Sequence, residues 1–290
     1  MTQNPKPLEF RFLCAGDFDR LHRTFVAAFS DYTVNMNVTQ GRFRDRLARD
    51  GVQLELSVGA FAGQEMIGFC INGIGLWQGQ PTAYDAGTAI VPNYRGQGLA
   101  KELFACVLPR LKEAGMDQYL LEVITTNTPA VNLYHQLGFS ETRTFAVYKQ
   151  TEPLKELSSR NAIELRAVDN LNWELNQLFW DGQPSWQNSI EAIDRTRTGN
   201  HSVSAYLRNQ CVGYGVLSKS TGNVVQLAVA RDQRRKSIGS LILNVLQSYL
   251  PAGEMLKVTN VDRKLVGTSK FYEANGFKLV LEQLEMVRSL

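Results

Sequence analysis

The string Arg95-Gly96-Gln97-Gly98-Leu99-Ala100-Lys101 has the residues an anion site needs. An apolar run over 82–91 ends at Ile90-Val91 and is closed by Pro92-Asn93-Tyr94, and an apolar helix then runs through Leu103, Val107 and Leu111. The first N–H groups of a helix have no internal acceptor and point toward negative charge. Glycines in the turn let a pyrophosphate approach the backbone where a Cβ would obstruct it. No Gly-Lys-Ser/Thr follows, so this is not a Walker loop, and the spacing is not the dinucleotide G-x-G-x-x-G. Two carboxylates stand inside otherwise apolar strands, Glu122 in Leu120-Leu121-Glu122-Val123 and Asp85 in the 82–91 run. Either has a purpose there or faces solvent from a strand edge. Tyr134 falls on an apolar helix face, where a phenol serves chemistry or simply fills a core.

The elements that would position these groups occur twice. Leu8-Glu9-Phe10-Arg11-Phe12 alternates as a strand, and Asp17 is an expected N-cap before a helix carrying Leu21, Phe25 and Phe29. Ile163-Glu164-Leu165-Arg166-Ala167 and a helix carrying Leu171, Leu175 and Leu178 repeat that opening. Hairpins are expected at Gly63-Gln64 and at Arg208-Asn209-Gln210. Each half ends on a Tyr followed four residues later by Gly-Phe, Tyr134 with Gly138-Phe139 and Tyr272 with Gly276-Phe277. Arg95 to Tyr134 is 39 positions and Arg234 to Tyr272 is 38, which points to an internal duplication. The expected division is 1–150, a polar linker at 151–161, and 162–290.

The string V-P-x-Y-R-x-x-G-x-A resembles the acetyl-CoA pyrophosphate loop of the GNAT superfamily of N-acetyltransferases. Downstream, L-E-V-x-x-x-N-x-x-A-x-x-L-Y-x-x-L-G-F, from Leu121 to Phe139, is similar to the second half of such a domain, closest in pattern to the bacterial enzymes that modify ribosomal-protein N-termini. The resemblance implies an α/β fold of two tandem domains, each a mixed sheet flanked by helices. It implies acetyl-CoA as co-substrate, an N-acyltransferase activity, and a small-molecule or peptide amine as acceptor. Carried onto this sequence, Tyr134 is the acid that protonates the departing thiolate and Glu122 is the base, with Asp85 a second candidate. The backbone of Thr88, Ala89 and Ile90 pairs with pantetheine, Asn127 contacts the same arm, and Arg95, Gly96, Gln97, Gly98, Leu99, Ala100 and Lys101 hold the pyrophosphate. Asp31 and Tyr32, after the first helix, and Trp77 are expected to line the acceptor cleft; for Asp31 a solvated helix end is the alternative. A base matters because an amine attacks only when neutral: a Lys-like amine is neutral in roughly one molecule in 2,500 at pH 7, an α-amine far more often. A non-catalytic acyl-CoA sensor or scaffold is the other reading, and intact Glu122 and Tyr134 favour the enzyme.

The second copy is degenerate. Ser237 stands where the first glycine belongs, Val224 falls opposite Asp85, and aligning Leu256-Lys257-Val258 with Leu121-Glu122-Val123 places Lys257 opposite Glu122. One tight coenzyme A site, in the first copy, is therefore expected. Tandem organisation also resembles the mycothiol synthases, in which the second copy works, so their substrate is not carried over. The 290 residues are 44% hydrophobic and the net charge is only +3, which argues for two packed cores and against nucleic acid as partner. Cys14, Cys70, Cys106 and Cys211 and the three histidines show no metal-ligand spacing. No apolar run approaches a membrane span and no leader pattern is present, so a cytoplasmic protein without a metal is expected. Pairing of two copies as a homodimer is left open.

Overall fold

The computed structural model describes residues 7–31, 36–154 and 163–290. Of the expected linker, residues 155–161 lie outside the described residues, as does Tyr32. The chain divides into two compact units whose boundaries interleave: unit 1 holds 1–123, 127–142 and 285–290, and unit 2 holds 124–126 and 143–284. The division expected from sequence falls at 151–161, whereas the units exchange the ends of two segments.

Unit 1 opens with β1 (Leu8–Phe12), α1 (Phe18–Ala28) and α2 (Gln40–Asp50), then β2 (Val58–Ala62), β3 (Glu65–Trp77) and β4 (Gln80–Ile90). Helix α3 (Leu99–Glu113), β5 (Gln118–Ile124), α4 (Thr128–Gln136) and the start of β6 (Ser140–Gln150) follow. The sheet order is β1-β2-β3-β4-β5. The helix through Leu103, Val107 and Leu111 forms as the periodicity predicts, and those three side chains are fully buried. Asp17 holds the N-cap position of α1, as expected, but its side chain makes no capping hydrogen bond there. It closes a 3₁₀ turn, accepting from the Cys14 N–H at 3.1 Å and from both Arg11 guanidinium nitrogens at 2.7 and 2.8 Å. The arginine fork offers a carboxylate more than a single helix N–H does, which overrides the cap. Strands β4 and β5 run parallel and pair only from Thr82↔Gln118 to Asp85↔Leu121. Beyond Asp85 they diverge, leaving the β5-facing edge of 86–90 without a strand.

Unit 2 repeats the plan with β7 (Ile163–Ala167), α5 (Trp173–Asn176), α6 (Ile190–Arg195), β8 (Asn200–Leu207), β9 (Gln210–Ser218) and β10 (Val224–Val229). Then come α7 (Ile238–Ser248), β11 (Lys257–Asp262), α8 (Val266–Ala274) and β12 (Phe277–Ser289). The order is β10-β9-β8-β7, while β11 pairs antiparallel with β6 from Lys257↔Lys149 to Asp262↔Phe145. The helix expected through Leu178 stops at Asn176, because Phe179 rather than Leu178 turns inward and Leu178 is 71% exposed. The duplication extends to irregularities. Ala86 is skipped in the β3–β4 register and Val225 in the β9–β10 register, bulges at corresponding positions just before the glycine or serine turn.

Candidate active site

The turn before α3 has the geometry its sequence suggests. Gly96 and Gly98 have φ of 76° and 80°, and a Cβ at either would meet no protein atom within 4 Å. Glycine adopts these left-handed angles without strain, and the space above the turn is open. Gly98 is the N-cap, so the Leu99 and Ala100 N–H groups are the free first donors of α3. Arg95 is occupied elsewhere. Its Nε donates to Ile90 O at 3.1 Å, Nη2 to Ala28 O at 2.7 Å, and its fork grips Asp31 at 2.7 and 2.8 Å. It ties the turn to the end of α1, and Asp31, its acidity increased by that hydrogen bond, is neutralised rather than left to attract an amine. The same latch recurs in unit 2, where Arg234 donates to Val229 O, Phe179 O and Asp181.

Where β4 leaves β5, successive side chains point to opposite faces of the sheet. On one face Tyr84 donates its hydroxyl to Glu122 Oε2 at 3.3 Å. Arg46, from α2, donates to the carbonyl of the bulged Ala86 at 3.0 Å, and Arg49 grips the buried Asp50 at 2.7 and 3.0 Å. Both guanidiniums act electrostatically on Tyr84, and Glu122 acts on both guanidiniums, so the four groups share one local field. On the other face Asp85 accepts from Gly87 N at 3.0 Å, from Thr88 Oγ1 at 3.0 and 2.9 Å, and from the Tyr134 hydroxyl at 3.5 Å. Burial raises its pKa to about 6, against the lowering effect of those donors. Tyr134 is itself buried, edge-on to Phe104 and Phe139 at 5.9 and 5.7 Å between ring centres.

The divergence therefore brings together Glu122, Asp85, Tyr134 and the free edge of Thr88, Ala89 and Ile90. Asn127 begins α4, its Oδ1 accepting from Ala130 N at 3.4 Å, which leaves the carboxamide nitrogen for other use. Trp77 is not part of this group. It pairs with Gln80 at the opposite end of the β3–β4 ladder, roughly 16 Å along β4 from Asp85 at about 3.3 Å per residue. Arg46 and Tyr84 were missed, and reasonably so: Arg46 is one of four arginines in α2, and nothing in the sequence separates it from a solvated face.

Unit 2 carries a cavity of about 590 Å³ between the diverging β10 and β11, the turn at 233–240 and α8, with Tyr272 in its wall. The bridge Asn223↔Lys257 sets Val224 opposite Val258, where unit 1 has Asp85 opposite Leu121, so Thr259 and not Lys257 matches Glu122. The apolar pattern alone permitted either register; the backbone pairing fixes it. Both carboxylates are thus replaced, by Val224 and Thr259. The turn nonetheless keeps its shape, with Arg235 and Ser237 both at φ 62°. Among the described residues no group of His, Cys, Asp and Glu could hold a metal ion, and no helix is long and apolar enough to cross a membrane.

Residues 19–139 match the family model "Acetyltransferase (GNAT) family" and 198–279 match "Acetyltransferase (GNAT) domain", together well over half the chain. A mycothiol acetyltransferase of Nocardioides is 28% identical over 138 residues, 43% of this chain and 47% of that protein. A [ribosomal protein bS18]-alanine N-acetyltransferase of Haemophilus ducreyi is 32% identical over 75 residues, 26% of this chain and 50% of that one. The chain thus spans about half the length of these two relatives. Among solved structures, a tandem GNAT protein from the clavulanic acid biosynthesis pathway superposes with TM-score 0.78 at 14% identity, covering 98% of each chain. A GCN5-related N-acetyltransferase from Sphaerobacter thermophilus does so at 0.73 and 15%, covering 97% of this chain and 95% of that one. At these identities the likeness is one of fold.

Proposed function

We propose, from the premise that this chain belongs to the acetyltransferase (GNAT) family and carries two such domains in tandem, that unit 1 transfers an acetyl group from acetyl-CoA to a primary amine. The acceptor is a small molecule or a peptide, and the cytoplasm, where acetyl-CoA is made and used, is the compartment this reading implies. The observation that carries it is the placement of Glu122 and Tyr134 on opposite faces of the point where β4 parts from β5, each bonded to a residue of β4.

The residues present fit the co-substrate. The open space above Gly96 and Gly98 and the first free N–H groups of α3 suit a diphosphate. The free edge of Thr88, Ala89 and Ile90 suits amides added as an extra strand, and the Asn127 carboxamide nitrogen suits the same arm. Acetyl-CoA, when bound, supplies a thioester carbonyl for the amine to attack and a sulfur that must leave as a thiol. Glu122, close to the cations Arg46 and Arg49, takes the proton of the incoming amine, directly or through a water. Tyr134, on the opposite face, gives its hydroxyl proton to the departing sulfur. Arg95 contributes by fixing the turn to α1 rather than as a phosphate-binding cation. In unit 2 the retained turn and the cavity support binding of the same kind of ligand without turnover, since Val224 and Thr259 accept no proton.

The test is thiol release from acetyl-CoA with a panel of amines: glucosamine, spermidine, lysine and an alanine-initiated peptide. Tyr134→Phe is expected to slow release with the active amine by roughly 10²- to 10³-fold, within the span a general acid supplies. Equal rates for variant and wild type with every amine would remove Tyr134 from its role.

A further inference from the structure

Asp85 is not needed by the two-residue scheme above, yet it is the carboxylate in contact with Tyr134. It is 6% exposed and sits where β4 begins to diverge. Two of its donors are built into the strand: Gly87 N and Thr88 Oγ1 bond Oδ1 at 3.0 Å each, and Thr88 Oγ1 also reaches Oδ2 at 2.9 Å. The third is the Tyr134 hydroxyl, on Oδ2 at 3.5 Å. A tyrosine hydroxyl has one proton. While that proton lies toward Asp85, it is not offered to a group in the cleft, and a phenolate formed beside a buried carboxylate would meet like charge in a low dielectric.

We infer that Asp85 is a positioning residue for Tyr134: as a carboxylate it holds the phenolic O–H to itself, and as a carboxylic acid it becomes the donor and frees that O–H for the leaving sulfur. This rests on Tyr134 being the acid of the proposed reaction. When the C–S bond breaks, its electron pair stays on sulfur, and sulfur takes the proton of Tyr134. The resulting phenolate takes the proton of the Asp85 carboxylic acid, and Asp85 regains a proton from solvent before the next turnover. The switch falls within the working range because burial brings the Asp85 pKa up to about 6. The titratable and charged groups around Asp85 are Cys70 of β3, Tyr119 of β5, Tyr134 of α4 and Arg46 of α2. Cys70 is itself pushed up to about 12 and Tyr119 well above its ordinary value, both chiefly by burial, so neither ionises near neutrality. Arg46 is a fixed cation throughout.

Asp85→Asn separates orientation from charge. The fixed Gly87 N–H keeps the carboxamide oxygen on the Oδ1 side, so Nδ2 takes the Oδ2 place and donates to Tyr134 at every pH. Thiol release is followed with acetyl-CoA and the best amine of the panel from about pH 5 to about pH 9, and the variant is compared with wild type at each pH so that ionisation of the amine cancels. The ratio of variant to wild-type rate should be flat below about pH 6 and climb by roughly tenfold per pH unit above it. In a Tyr134→Phe background the same ratio should stay flat. A flat ratio with Tyr134 present, while Tyr134→Phe alone is slow, overturns the inference and leaves Tyr134 as the acid. Tyr134→Phe as fast as wild type removes both. Should Asp85→Asn fail to fold, Thr88→Val takes its place: loss of the Thr88 donor raises the proton affinity of Asp85. The pH at which Thr88→Val loses its advantage over the Thr88→Val, Tyr134→Phe double variant should then lie above the pH at which wild type loses its advantage over Tyr134→Phe. A break that stays put overturns the inference.

Discussion

A buried carboxylate in a β-strand is held against its own preference, and for Asp85 that preference is measurable as stability. Its pKa is 3.8 ordinarily and about 6 in the fold. Between those values the folded chain binds the extra proton, so stability falls as pH rises through that window and the loss is complete above it. Asp85→Asn should therefore melt above wild type at pH 7 to 8, by roughly 1–3 kcal/mol. The gap should close as pH is lowered toward about 4, and a gap independent of pH would show that Asp85 ionisation costs nothing. Glu122 gives the complementary prediction. Glu122→Gln should depress kcat/KM more for a lysine-like amine than for an α-amine, since the former begins almost wholly protonated. Comparing the two acceptors with each protein checks this. Both carboxylates were visible in the sequence as acids among apolar neighbours. Their partners were not, because a strand pattern places side chains on faces but cannot say which of Tyr84 or Tyr134 will reach them from 38 or 49 residues away. The reading of Asp31 stayed open for the same reason: its partner is Arg95, 64 positions on.

At the scale of elements, the turn after β4 and its copy after β10 adopt one backbone shape with different residues. Unit 1 uses Gly96 and Gly98, unit 2 uses Arg235 and Ser237 at φ 62°. A left-handed non-glycine residue costs roughly 1–2 kcal/mol, and glycine returns roughly 0.5–1 of that as lost unfolded-state restriction. Ser237→Gly is therefore expected to stabilise unit 2 by about 0.5–1 kcal/mol, seen as a higher melting temperature; a decrease would mean the serine side chain holds the turn. Arg95→Lys should weaken coenzyme A binding roughly three- to tenfold while the fold persists, because an ammonium cannot bond Ile90 O, Ala28 O and Asp31 together. Calorimetry with coenzyme A would read that change. Helix α3 and the paired hairpins were legible because their apolar spacing and burial agree. The short α5 was not, since Leu178 continues the helical period yet faces solvent.

For the whole molecule, the repeat was legible and the assignment of its end strands was not. The sequence repeat breaks at 151–161, but only the folded chain counts 143–150 with unit 2 and 285–290 with unit 1. Within unit 1, Leu290 N donates to Asp117 O at 2.9 Å, Thr142 Oγ1 to Glu285 Oε1 at 2.7 Å, and Arg288 to the carbonyl of Leu137, just past the helix that carries Tyr134. Residues 1–150 expressed alone should consequently melt at a lower temperature than the full chain, and co-expression with 151–290 should restore activity; a fully active, cooperatively melting 1–150 would contradict this. If the retained turn and cavity of unit 2 bind as proposed, the chain takes up two coenzyme A molecules rather than the one expected from sequence, a stoichiometry that titration calorimetry checks. Because residues 285–290 are counted with the unit that opens at β1, a ribosome that has finished the first repeat holds only an unfinished unit 1. On the proposed function, acetylation by the nascent polypeptide then waits for translation of the second repeat.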